Sequence, residues 1–138
     1  MLHHLTFASV IANVLDAANV ITGQILPEGS MEEKQTPVLG CVIEEASSPH
    51  QCLKTGKLAL KYEIDGDATT LISAAGSLQA AQDYLLGETG RAALREAMLD
   101  EGLWLRIIGP VSSPLVTTLG ERRKAVEVRM PYWIQTAV

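Results

Sequence analysis

The residue types best able to do chemistry gather between positions 41 and 52, where Cys41, His50 and Cys52 offer two thiols and an imidazole. Thiolates and imidazoles are zinc ligands, but recognised zinc modules present close Cys or His residues in two pairs, and here a fourth ligand would have to come from far away, for instance His3 or His4. A Cys-His nucleophile needs a thiolate in hydrogen-bond reach of its base and a third group to orient that base. His50 and Cys52 are close in sequence on what reads as a loop, with no oxyanion-donor motif beside them. Cys41 reads instead as a small core residue, and His50-Gln51-Cys52 as the decoration of a loop.

The paired carboxylates Glu32-Glu33 and Glu44-Glu45 are the types glycosidases use, yet neighbours on a strand point to opposite faces, so only one of Glu44 and Glu45 can enter any one cleft. The glycines never form a phosphate-cradling loop leading from a strand into a helix. No catalytic residue, cofactor or metal is therefore expected. The chain carries a formal charge of −5, and its eleven Lys and Arg residues are scattered apart from Arg122-Arg123-Lys124. Backbone-directed nucleic-acid binding needs several phosphates neutralised together, so direct DNA or RNA binding is not expected. Two cysteines without a secretion signal imply reduced thiols in a cytosolic setting. No apolar run approaches the roughly 18 residues of a membrane span, so no membrane partner is expected.

With 138 residues, 47% hydrophobic and 20% charged, the chain is expected to form one domain over 1–138. Its architecture is declared between 103 and 134. Val126, Val128, Met130, Tyr132 and Ile134 share one face of a strand, and Glu127, Arg129, Pro131 and Trp133 share the other. Leu103, Leu105 and Ile107 alternate with Trp104, Arg106 and Ile108 in the same way, until Gly109-Pro110 ends the run.

Upstream, Phe7, Ile11, Val14, Ala18 and Ile21 recur at helical steps over 5–21, with Val10 and Leu15 widening the stripe and Gly23 as the stop. Residues 24–36 read as a solvated connection closed by Pro37. An apolar strand over 38–45, a loop over 46–56 and an alternating strand over 58–65 form a first antiparallel pair. A helical region follows over 70–86, interrupted by Gly76 and ended by Gly87. A second helical piece, capped by Thr89, runs to Glu101, with Gly102 placed for a left-handed C-terminal residue. Whether the two pieces are one bent helix or two stays open. The expected fold is α+β, an antiparallel sheet of about four strands with helices on one face, in the order α-β-β-α-β-β.

Strand alternation turns Trp104 and Trp133 away from the helix-facing side, where with Ile108 and Pro131 they form an apolar patch of the kind monomers seldom expose. Trp and Arg are enriched at interface hot spots, so Trp104, Arg122, Arg123, Arg129 and Trp133 are the candidate interface residues. The opposing possibilities are that the tail or the 111–121 loop folds back over the tryptophans, and that the basic cluster is solvated charge guarding the start of a strand. Both long loops, 46–56 and 111–121, exceed ordinary hairpin length and are expected to be mobile until a partner orders them.

The succession of an amphipathic N-terminal helix, the connection Val20-Ile21-Thr22-Gly23-Gln24-Ile25-Leu26-Pro27, a Pro37-led apolar strand, a long-looped hairpin into 57–64, a helix and a final strand over 122–134 resembles the tail terminator, or tail-to-head joining, proteins of long-tailed bacteriophages and related neck and tail-completion proteins. The Ala-rich stretch 68–81, interrupted by Gly76, departs from the single regular helix expected of that family. The resemblance implies a virion protein at the tail-head junction, assembled in the bacterial cytoplasm. It implies a homo-oligomeric ring, commonly a hexamer, that caps the tail tube, meets a head-completion or neck protein, and lets DNA pass without gripping it. The alternative from the residues is a small α+β enzyme or ligand-binding domain with a cleft near His50 and the 111–121 loop.

Overall fold

The computed structural model describes residues 3–50, 53–66, 68–112, 114–118, 120 and 122–136. The elements are α1 (His3–Ala18), β1 (Gln24–Pro27), β2 (Val38–His50), β3 (Leu53–Asp65), α2 (Ala68–Leu86), α3 (Glu88–Asp100), β4 (Leu103–Ile108), β5 (Leu115–Thr118) and β6 (Arg123–Thr136). The class is α+β, as the sequence pattern predicts, but the sheet is mixed and has six strands among the described residues. Its order is β1-β2-β3-β6-β4, with β5 also on β6. Among the described residues only the β1–β2 pair is parallel.

The core lies between one sheet face and the three helices. Leu39, Cys41 and Ile43 of β2, Leu58, Leu60, Tyr62 and Ile64 of β3, and Val126, Val128, Met130, Tyr132 and Ile134 of β6 all point into it. These are the alternating positions of each strand, so burying one face selects a single register. From α1, Phe7, Ile11 and Leu15 pack down on the sheet, with Phe7 and Tyr132 tilted at a centroid distance of 4.9 Å. Leu78 and Leu85 of α2 and Leu94 and Met98 of α3 complete the layer. Each of these side chains, fully removed from water, contributes about 1.5–3 kcal/mol before the entropy of ordering is set against it.

Several local features differ from the sequence reading. The first helix ends at Ala18, where Asn19 takes a left-handed conformation (φ 56°) and its amide bonds the Asp16 carbonyl, so Asn19 rather than Gly23 is the stop. Inside the supposed solvated connection, Gln24–Pro27 forms β1 on Val38–Cys41. Four residues ending in proline at a sheet edge carry too little period-two signal to be seen. The 46–56 stretch is not a long loop. Strands β2 and β3 continue to His50 and Leu53, and two register shifts, between Glu45 and Ser47 and between Ser47 and His50, absorb the Ser and Pro residues that read as loop.

Nor does 111–121 stay a free loop, since Leu115–Thr118 pairs with Lys124–Glu127 as β5. Glu121, the last residue of that stretch, lies outside the described residues. The helical region is two helices: α2 runs unbroken through Gly76, and the turn to α3 comes at Gly87. Its N-cap is Gly87 with no side-chain bond, so Thr89 does not cap it. Gly90 is required at this junction because a Cβ there would sit 1.7 Å from the Tyr84 carbonyl oxygen. Gly102 does adopt the left-handed conformation (φ 73°) that ends α3, its amide bonding the Leu99 carbonyl.

Candidate interaction surfaces

The chemistry-bearing residues are kept apart by the strands that hold them. Cys41 is in the first part of β2, fully buried opposite Leu60, and burial pushes its thiol up to about 12. His50 ends the same strand, nine residues on, or roughly 30 Å at 3.2–3.4 Å per residue. The two cannot share a metal or a proton. Cys52 lies outside the described residues. Among the described residues no group of three or more His, Cys, Asp or Glu side chains is placed to hold a metal ion. His50 is level with Leu53 and, through it, Gln135, whereas β5 is level with Lys124–Glu127. Eight residues of β6 therefore separate His50 from Leu115–Thr118, roughly 26 Å along the sheet.

The sheet face turned away from the helices carries a charged ladder. Val42, Ala59 and Arg129 are neighbours across three strands. Because Ala59 is short, the Arg129 guanidinium passes over it and its Nε donates to Glu44 Oε1 at 2.5 Å, while its terminal nitrogen pairs with Glu127 at 2.9 Å. Those two carboxylates, Glu44 foremost, raise the Arg129 pKa further. Lys34, from the β1–β2 connection, pairs with the nearly buried Glu63 at 2.6 Å. Glu44 thus faces this side, paired with Arg129.

The basic cluster at 122–124 is fastened to the β3–α2 turn. Arg123 Nε donates to Asp65 at 3.2 Å, Lys124 Nζ to the Gly66 carbonyl at 2.8 Å, and the Arg122 carbonyl accepts from the Gly66 amide. Thr36 donates a second bond to Asp65, and these two hydrogen bonds, Thr36 first, hold its carboxyl below the usual carboxylate range. Arg122 itself is exposed.

Trp104 and Trp133 are brought to the same end of the helix-free face, 41% and 40% exposed. Ile108 is not with them. A bulge at Arg106 shifts the β4 register so that Ile107 is opposite Trp133 and Ile108 opposite Tyr132, which buries Ile108 in the core. Strict alternation had placed Ile108 on the face with Trp104. The displaced Arg106 lies 4.8 Å from the Trp104 ring and its Nε bonds Gln135. The interface candidates therefore split: the tryptophans mark one end of the face, Arg129 its middle, and Arg122 and Arg123 the other end.

One surface escaped the sequence reading, a groove of about 500 Å³ between α3 and the edge strand β4, lined by Arg95, Leu99, Trp104, Leu105 and Arg106. Arg95 and Leu99 stand one turn apart, off the Leu94–Met98 stripe that the helical period singles out. An exposed leucine (54%) within a polar face was the available signal. No protein-family model and no curated protein matches the chain. Among the described residues no helix is long and apolar enough to cross a membrane.

Proposed function

We propose that the chain is a structural subunit of a bacteriophage virion, of the tail-terminator kind, working by assembly and without turnover. In this reading copies associate in a ring, on the family pattern a hexamer, that closes the tail tube and joins it to the neck of the head. The observation that carries it is the one-sided covering of the sheet. Helices bury one face, and the other leaves Trp104 and Trp133 about 40% exposed at one end beside an arginine-crossed ladder. A monomer gains nothing from large aromatics in water, whereas Trp at the centre of a subunit contact is a common source of binding energy. The net charge of −5 suits a lumen that must not hold DNA. The order of elements along the chain, which resembles that family, supplies the rest.

Light scattering on the size-exclusion eluate, with negative-stain microscopy, tests this. A particle several times the 14.8 kDa chain mass with an open centre is expected. A monomer at every concentration up to the tens of micromolar would remove the reading.

A further inference from the structure

The residues on opposite edges of the sheet complement one another. In the β1–β2 connection Met31 is 97% exposed, the most exposed large apolar side chain among the described residues, and it is followed by the exposed Glu32 and Glu33. Neither carboxylate has an ion-pair partner among the described residues. The segment is nonetheless held in shape. Gln24 donates to the Glu33 carbonyl at 3.0 Å and accepts from the Gln35 amide at 2.8 Å, the Glu32 amide bonds Ser30 Oγ, and Lys34 is anchored on Glu63.

At the far edge, the α3–β4 groove presents Leu99, Trp104 and Leu105 between Arg95 and Arg106. An adjoining hollow shares Arg106 and contains Arg91, whose Nε is buried without an acceptor. None of these three arginines has a carboxylate partner among the described residues. An apolar slot flanked by unneutralised guanidinium groups fits an apolar side chain flanked by carboxylates. Met adapts to an irregular slot, and Arg binds carboxylates through two parallel donors.

Within one chain the two cannot meet. Lys34, three residues after Met31, is held on Glu63, which is level with Ala125 of β6, whereas Trp104 in the groove is level with Gln135, so ten residues of β6, roughly 33 Å along the sheet, lie between the two. We infer that Met31, Glu32 and Glu33 of one copy seat in the α3–β4 groove of a second copy. The contact is heterologous, joining different patches head to tail, and such contacts close into a ring when the rotation per copy allows. The inference rests on the assembly reading above and assigns the surfaces that reading leaves open.

Met31→Lys sets an ammonium against the arginines of the groove, and Leu99→Gln puts a polar amide where the Met31 side chain would seat; both positions are exposed enough for the fold to be kept, which far-UV circular dichroism checks. Each variant alone is expected to run as a monomer. Mixed in equal amounts they should form a one-to-one dimer and nothing larger, because the intact Met31 segment of the Leu99→Gln chain still meets the intact groove of the Met31→Lys chain. Folded variants that keep the wild-type mass would overturn this contact and leave the assembly reading standing, as would variants that stay monomeric when mixed. A wild-type protein that is monomeric throughout would remove both.

Discussion

Cys41 shows how a residue suited to chemistry is committed to packing. Its strand neighbours Leu39 and Ile43 and the facing Leu60 enclose it, and the thiol, pushed up to about 12, stays protonated in the folded state. Iodoacetamide at pH 8 is expected to leave Cys41 unmodified in the native protein and to label it in denaturant, as read by peptide mass mapping. The sign of the linkage follows from the raised value. The unfolded thiol ionises near about 8.5 while the folded one does not. The contribution of Cys41 to stability is therefore complete below pH 8.5 and lost as the pH rises from there toward 12. Urea midpoints measured from pH 7 to 10 should fall more for the wild type than for Cys41→Ala.

At the scale of elements, two glycines of the helical region should answer the same substitution with opposite signs. Gly76 lies inside α2 with nothing within 4 Å of a built Cβ, so Gly76→Ala should stabilise by about 0.5–1 kcal/mol through helix propensity and a less free unfolded chain. Gly90→Ala would drive a methyl into the Tyr84 carbonyl and should cost about 3 kcal/mol or open the α2–α3 turn. Thermal unfolding of the two variants decides it, and equal shifts would mean that the helix junction is arranged otherwise. The clamp of Asp65 by Thr36 and Arg123 ties the β1–β2 connection, the end of β3 and the start of β6 together. With its folded pKa lowered, Asp65 stabilises above the ordinary carboxylate range near about 4 and loses that contribution as the pH falls through its folded value. The stability difference between wild type and Asp65→Asn should accordingly be present at pH 6 and shrink below pH 4.

On the scale of the whole molecule, the helices pack on one face of the sheet, and the other face carries the exposed tryptophans. Beyond Ile43, β2 has no strand on its outer side among the described residues, and β4 forms the opposite edge at the tryptophan end. Exposed edges usually carry charge or lie under other elements because bare backbone invites pairing. The groove beside β4 instead combines Arg95 and Arg106 with Leu99 and Trp104, a composition nearer to interfaces than to solvated surface. Trp133→Gln should lower the assembled mass while leaving far-UV circular dichroism unchanged. A variant that unfolds instead would mean that Trp133 is part of the core.

The amino-acid sequence by itself determined the long, periodic elements and the face each of them buries. Phe7, Ile11 and Leu15 on α1, the even positions of β3 and β6, and the left-handed Gly102 follow from local sterics and from the need to bury one side, which neighbours in sequence suffice to express. Strand β1, the bulge at Arg106 that turns Ile108 into the core, and the folding of Leu115–Thr118 onto β6 were decided by tertiary pairing. A four-residue edge strand or a one-residue slip has meaning only against the partner strand that satisfies its backbone. The candidate surfaces divide in the same way. Alternation along β6 identified Trp133, because one strand defines its own two faces. Joining Arg95 and Leu99 of α3 to Trp104 of β4 in one groove, and setting Met31 beyond reach on the opposite edge, required the packed chain, since no period in the sequence records which helix lies beside which strand.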